Sequence, residues 1–491
     1  MLNVIYHASR KRNTLQESSL AGRYSAMMRA SRGVALVVLG LLAVAALYDV
    51  ARLGNGLPWR QLYDFSDFYC AGTALDGGLD PYRYEPLHRC EHAVNTSLVF
   101  HNDPRRVIPA PLPPYDFPAF MLAARSNFAL ARAIGAAAIV LAIVAAAYGL
   151  WLIGVPLELT ALALLLPAGF VLLAAGQVVP YALVALVFCG VALARGRDSA
   201  AGICAALTLI EPHLGLPVCA ALFFRVTRSR IALSATGLGL FLVALVTVGF
   251  SGMVEYLSRV LPAQASAEAG YAYQYSLTYL LRAIGAPSAP ALVAGEIAYL
   301  IMLGAGIWVG GRAARVLHRR ELLAFVPAAC SVIGGAYVHM VDLPFALPAS
   351  LVLATSLQGR RKDVATLALA LLAVPWIPVW INKRLFLASL FVVAALLVRL
   401  RARRAFAICL FVAIALAIYA LELFPPPAFA AITPGPIAAN ALAQEAWARY
   451  VAALGTPGPT WLLVKLPAWT ALVAVLAGAL ASRPPTARAP R

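Results

Sequence analysis

The chain is written as about a dozen near-continuous apolar blocks set between short basic or polar stretches. Each block is about long enough to cross a hydrocarbon core of ~30 Å. Of 491 residues, 62% are hydrophobic and 12% charged, where soluble domains run near half apolar and about a quarter charged. The 39 Lys and Arg against 21 Asp and Glu leave a formal charge of +18, yet few basic runs are long enough to grip nucleic acid. Arginine excess of this kind belongs to the cytoplasmic loops of a membrane protein. A DNA-binding protein, a secreted disulfide scaffold and a cytosolic enzyme are excluded as readings. What remains is an all-α polytopic membrane protein.

Threading the blocks so that basic loops stay on one side gives about twelve spans with both termini cytoplasmic. Residues 1–33 form a basic segment carrying Arg10, Lys11, Arg12, Arg23, Arg29 and Arg32. It lacks a small-residue cleavage site and reads as the inner flank of an uncleaved first span, 34–50. A long polar loop, 51–118, follows. Further spans are expected at 133–153, 160–175, 181–194, 231–250, 291–309, 322–338, 343–357, 364–381, 385–398, 406–421 and 461–480. The transmembrane domain then covers 34–482, with a late outer loop at 425–460 and a Pro- and Arg-rich tail at 483–491. Residues 200–224 do not fit a single crossing, because basic clusters stand at both ends. Pro212 and Pro217 break the segment beside Glu211 and His213, which predicts a re-entrant pair of half-helices with its polar apex inside the protein.

The polar chemistry gathers at the outer ends. Loop 51–118 holds eight acids and six arginines, and a polar loop of this length is more often functional than a connector. Its stretch from Tyr63 to Tyr69 reads either as an interfacial aromatic belt with solvated acids or as part of a site. Gln177 lies in the turn after 160–175, Gln274 in the outer loop 251–288 with Arg282 nearby, and His339 and Asp342 in the hinge near 338–343. A lone His at a helix end is usually a structural hydrogen-bonder, but ionisable groups converging at a membrane edge mark a functional site. His88 and His92 stand four apart without a convincing third metal ligand and read as a solvated pair. Cys189, Cys204, Cys219, Cys330 and Cys409 lie in apolar stretches. Cys70 and Cys90 share the first loop and could pair if it faces an oxidising compartment, though their spacing alone does not fix the geometry.

The residues from Asp64-Phe65-Ser66-Asp67-Phe68-Tyr69-Cys70-Ala71-Gly72 to Gly77-Gly78-Leu79-Asp80-Pro81-Tyr82 resemble the first outer loop of glycosyltransferase family 87. These are the polyprenyl-phosphate-sugar-dependent membrane transferases of the GT-C class. Pro113-Pro114-Tyr115 to Phe120, Gly176-Gln177, Arg195-Gly196-Arg197, Ala201-Gly202, Glu211-Pro212 and the segment from Tyr337 through His339 to Asp342 follow in the family's order. Two departures stand out: Val179 where the family commonly has Asn, and Glu211 where it commonly has Lys.

The resemblance implies a GT-C-like bundle in a bacterial inner membrane, with its active site on the extracytoplasmic face. It implies a polyprenyl-phosphate-linked sugar donor, mannose or a pentofuranose, and a glycolipid or glycan acceptor. Neither a nucleic-acid partner nor a metal cofactor is called for. A phosphate leaving group needs no strong general acid, so a single inverting displacement requires one base for the acceptor hydroxyl. Asp64 is the expected base, with Asp67 in reserve. His339, with Arg282 behind it, is the expected phosphate contact. Gln177 and Asp342 would position sugar hydroxyls or orient His339, and His213, Glu211 and Gln274 complete the expected donor site. The rival class is a secondary transporter or lipid-linked-sugar flippase, which suits the span count and the broken helix.

Overall fold

A computed structural model describes residues 33–94, 106–335, 337–424, 436–455 and 458–482. The basic N-terminal segment, Asp103, part of the late loop and the 483–491 tail lie outside these residues. Every named element among them is a helix; the extended contacts are two isolated bridges, Arg83 to Leu442 and Gln274 to His339.

Six helices are long and apolar enough to cross a membrane: Gly33–Ala51, Phe128–Leu152, Thr227–Glu268, Ser288–Leu317, Arg404–Leu421 and Thr460–Leu480. A seventh crossing is formed if Leu157–Leu165 and Pro167–Ala175, bent by 47°, act together. At that bend Pro167 has no N–H to give, and the amides of Phe170 and Val171 both turn back to the Leu166 carbonyl, which distorts the helix locally. The other expected spans are shorter pieces, such as Val179–Ala194, Leu322–Gly334 and Leu347–Ser356. The segment expected at 364–381 is broken near Pro375 into Gly359–Leu372 and Trp376–Ile381. These pieces are largely enclosed by protein, so their ends are met by neighbouring helices rather than by lipid.

Exposure separates the periphery from the centre. In Gly33–Ala51 and Thr227–Glu268 only 6% of the most apolar stretch is buried, against 50% in Thr460–Leu480. The first two present their apolar sides outward. Small residues bring the inner helices together: a Cβ on Gly306 would lie 2.9 Å from Pro327 Cα, and one on Gly310 2.9 Å from the Leu322 carbonyl oxygen. Spaced four apart, these glycines share one face of Ser288–Leu317 and admit Leu322–Gly334 at backbone contact, as small residues do in membrane helix pairs.

The helix ends sort into two polar layers. In one, Arg319 donates to the Ile153 carbonyl at 3.0 Å, Arg320 pairs with Asp198 at 2.7 Å and Lys362 reaches the Leu400 carbonyl at 2.6 Å. Arg399–Glu158, Arg403–Asp363 and Arg312 on the Leu480 carbonyl join the same layer. At the opposite end Tyr115 donates to Leu209, Arg384 to Arg52, Trp380 to Phe424 and Lys465 to Gln274, each at a backbone carbonyl. Among the described residues, the basic loops around 198, 312–320, 360–363 and 399–403 therefore share one end.

Residues 198–225 form an antiparallel hairpin, Asp198–Leu207 with a 3-10 turn and then Pro212–Arg225. Cys219 Sγ meets the Ala205 carbonyl at 3.1 Å, and a Cβ on Gly215 would collide with the Thr208 backbone at 2.5 Å. The hairpin opens at the basic layer and carries Glu211, Pro212 and His213 at its apex.

The first loop folds rather than wandering. Phe65–Asp76 and Tyr84–Val94 are joined by a Cys70–Cys90 disulfide with Cα atoms 5.5 Å apart, and Phe117–Ala124 packs against the first of them. A Cβ on Gly72 would lie 2.4 Å from the Phe120 carbonyl carbon, so only glycine allows that approach. Phe65, Phe68 and Tyr69 are buried, with Phe68 against Phe120 at 5.3 Å and Tyr69 against Phe128 at 5.1 Å between ring centroids. The alternative of an interfacial belt fails for these three rings, which form the loop's own core; Tyr63 alone of that stretch's aromatics stays exposed. Replacing both Cys70 and Cys90 by Ala is expected to destabilise the loop by about 3 kcal/mol on loop-closure grounds. Reductant should reproduce the loss in the parent but not in the variant, read by proteolysis of the loop and thermal denaturation.

Candidate active site

The site begins at a turn. Gly176 has φ +75°, and a Cβ there would lie 3.0 Å from Leu62 Cα, so a glycine is needed both for the left-handed backbone and for the close approach. The loop docks on this turn: the Tyr63 and Asp64 amides donate to the Ala174 and Ala175 carbonyls at 3.1 and 2.7 Å. Asp64 is thereby fixed just ahead of Phe65–Asp76, and its Oδ2 accepts a hydrogen bond from Gln177 Nε2.

Burial raises the Asp64 carboxyl to about 6, against the opposing pull of Gln177, His339 and Arg106, with Glu268 adding to the rise. Asp67, on the next turn, is fully buried and accepts from Ser66 Oγ at 3.0 Å. Burial first, then the neighbouring Glu91 and Asp64 carboxylates, push Asp67 well above the usual range. Glu91, itself raised by burial, accepts from the Ile108 amide at 3.0 Å. Of the two loop aspartates, Asp64 is the one poised to exchange a proton near neutrality.

The second wall is the hinge after Leu322–Gly334. An extended contact ties it to the outer loop: Tyr275 N to Val338 O at 2.6 Å and Met340 N to Tyr273 O at 3.2 Å. Gln274 works as a brace here, its Oε1 accepting from Val338 N at 2.9 Å and its Nε2 facing Glu268 at 3.4 Å. With that side chain 1% exposed and bonded at both ends, Gln274 holds the hinge rather than offering a group to a ligand. Asp342 Oδ2 accepts from the His339 amide at 2.7 Å and faces His213 Nε2 at 3.2 Å. It therefore links the hinge to the hairpin apex. His213 Nδ1 lies 3.6 Å from Glu211.

His339 Nε2 lies 3.4 Å from Glu268 Oε2, between the rings of Tyr337 and Tyr271 at 4.9 and 5.9 Å. Burial opposes its protonation, but Glu268, Asp342 and Asp64 outweigh burial and raise its pKa above the ordinary histidine value. His339, Asp342, His213, Glu211 and Gln274 are thus brought to one place, and the charges of His339 and Glu268 reach Asp64 beside Gln177. Arg282 is not among them: at the end of Leu277–Ala283 its Nη1 donates to the Ala286 carbonyl at 2.7 Å, and none of its described hydrogen bonds reaches the cluster.

Three further residues belong to this region without having been singled out in the sequence. Glu268 is buried and ties His339 to Gln274 and to the indole N–H of Trp447. Arg106 is braced by the late helix Ala443–Leu454, its Nη1 donating to Tyr450 OH at 3.0 Å and its guanidinium 4.6 Å from that ring centroid; its charge reaches Asp64 and Asp67. Lys465 is fully buried, with Nζ 3.1 Å from the Tyr279 ring centroid and bonded to the Gln274 carbonyl. Only Lys465 carried a usable signal, being a lone cation inside an apolar span. Among the described residues no three His, Cys, Asp or Glu side chains converge as a metal shell.

Chemically, the arrangement offers the Asp64 carboxyl, raised to about 6, a histidine and an arginine as cations, and a surround of further carboxyls and tyrosines. No family model, curated protein or solved structure matches the chain.

Proposed function

We propose that this chain is a membrane glycosyltransferase that moves a sugar, mannose or a pentofuranose, from a polyprenyl-phosphate donor to an envelope glycolipid or glycan. The observation that carries the reading is that Asp64 and His339, both half-buried at the end opposite the basic layer, lie close enough for each to shift the other's charge. The resemblance to glycosyltransferase family 87 assigns these same two residues to one site. In this reading the chain crosses the membrane about twelve times, residues 200–224 are a re-entrant pair, and the site faces the outside of a bacterial inner membrane. The segregation of basic contacts to one end supports that orientation, and so does the Cys70–Cys90 disulfide at the other, since disulfides persist in oxidising compartments.

The reaction is a single displacement. The acceptor hydroxyl oxygen attacks the anomeric carbon, the bond from that carbon to the phosphate oxygen breaks, and the electron pair leaves on the phosphate. The hydroxyl proton passes to Asp64. Protonated His339 and Arg106 face the developing phosphate charge, fixed cations being most effective in a dry site. Arg106 offers the cationic contact that Glu211 cannot provide where the family commonly has Lys. Asp342 and Glu268 orient His339, and Gln177 fixes Asp64.

Membranes holding the protein, given radiolabelled polyprenyl-phosphate sugars, should convert lipid donor to glycosylated acceptor. Movement of intact donor or free sugar across the bilayer without transfer identifies a transporter or flippase instead. Because the base acts deprotonated, kcat/KM is expected to fall as pH drops through about 6, the value to which burial raises Asp64.

A further inference from the structure

At the end opposite the candidate site, a cavity of about 710 Å³ opens where the helices Pro212–Arg225, Ser288–Leu317 and Leu322–Gly334 meet. Its size falls within the range of small-molecule sites, roughly 300–1,000 Å³. Arg225, Arg315, His318 and Arg320 line it, with Val226 and Leu323 among its apolar lining residues, and no lining residue is acidic.

The basic groups are held in position. A Cβ on Gly311 would lie 3.3 Å from the Arg225 guanidinium carbon, so Gly311 leaves room for that group. Arg315 Nε donates to the Gly311 carbonyl at 3.2 Å. Arg320 is paired with Asp198 at 2.7 Å, which leaves Arg225 and Arg315 as the cations least neutralised by carboxylates. Next to the cavity in sequence, Phe224 is 65% exposed and Trp308, one turn before Gly311, is 57% exposed. Both belong to the outward apolar surface, so the cavity adjoins the region a lipid would occupy.

We propose that this cavity binds a phosphate group presented by an anionic lipid, with the phosphate between Arg225 and Arg315 and the acyl chains beside Phe224 and Trp308. Clustered arginines match phosphate oxygens through paired N–H donors, and basic pockets between membrane helices bind anionic headgroups. The proposal does not rest on the glycosyltransferase reading.

The test is native mass spectrometry of the full chain released from nanodiscs of equimolar phosphatidylglycerol and phosphatidylcholine. Wild type should retain phosphatidylglycerol preferentially. The R225Q/R315Q variant should lose about twenty-fivefold in that retention, roughly fivefold per arginine. R225K/R315K should restore much of it, which separates charge from misfolding. R228Q, a nearby exposed arginine outside the cavity lining, should change nothing. Unchanged retention in R225Q/R315Q, or an equal loss in R228Q, overturns the site. Calorimetric titration with inorganic phosphate identifies the source: tight binding of free phosphate with no preference between the two lipids overturns the lipid-borne form.

Discussion

Asp64→Asn is expected to lower glycosyl transfer by about 10²–10⁴-fold, the span typical of a positioned general base, while leaving the fold intact. Asparagine keeps an oxygen that accepts the Gln177 hydrogen bond and matches the shape of the half-buried side chain. It cannot take a proton from the acceptor. The stability sign provides an independent check. The folded state raises the Asp64 carboxyl to about 6, above its unfolded value, so the folded chain binds this proton more tightly than the unfolded one does. Such a group opposes folding as pH rises above the unfolded value, and its full penalty is present above the folded one. Asp64→Asn should therefore show an equal or higher thermal midpoint at pH 8, with the difference shrinking towards pH 4. Loss of transfer together with retained or improved stability fits a base; transfer within about twofold of wild type rules out Asp64 in that role, since proton transfer by a positioned base is worth far more.

Much of this cluster was legible because polar residues at a membrane edge are expensive. Gln177, His213, Asp342 and His339 each interrupt apolar blocks, and the threading sends their interruptions to one end. Chain order alone did not say that Asp342 joins His213 across 129 positions of sequence. Arg106 was invisible for a different reason. It is one of six arginines in loop 51–118, and what distinguishes it is Tyr450, 344 positions away. Glu268 stood in a segment read as an outer loop, whereas the helical run continues from Thr227 to Glu268 through a break at Gly249. Nothing in local periodicity marks where a helix leaves the hydrocarbon and continues.

Span counting met the same limit. Hydropathy locates apolar blocks, but the requirement of ~20 residues applies to helices that face lipid along their length. Leu322–Gly334 is packed against the small-residue face of Ser288–Leu317, and Leu347–Ser356 is buried on nearly every side. Their shortness follows from enclosure, and only tertiary packing reveals it. Arg282 is the converse case: an arginine selected by proximity in sequence, whose Nη1 donates to the Ala286 carbonyl just past its own helix.

His339→Gln carries the second large effect, about 10²–10³ in kcat, the magnitude seen when one fixed donor to a developing negative charge is removed. Glutamine can still donate, and the backbone bond from residue 339 to Asp342 does not depend on the ring, so the hinge should keep its shape. What disappears is a positive charge. Glu268, Asp342 and Asp64 raise the His339 pKa above its ordinary value despite burial, so the imidazolium persists to higher pH than an ordinary histidine's and is lost as pH climbs through that raised value. Wild-type activity should therefore fall on both sides, with Asp64 governing the acid limb and His339 the alkaline one. In His339→Gln the alkaline limb should flatten while the acid limb remains, shifted upward because a cation that favoured the Asp64 carboxylate is gone. A hinge that merely needed an aromatic or polar filler at this position would lose activity without any change in the shape of the pH profile. An unaltered alkaline limb in His339→Gln would thus remove the phosphate-facing charge from the mechanism, even if turnover were severely reduced.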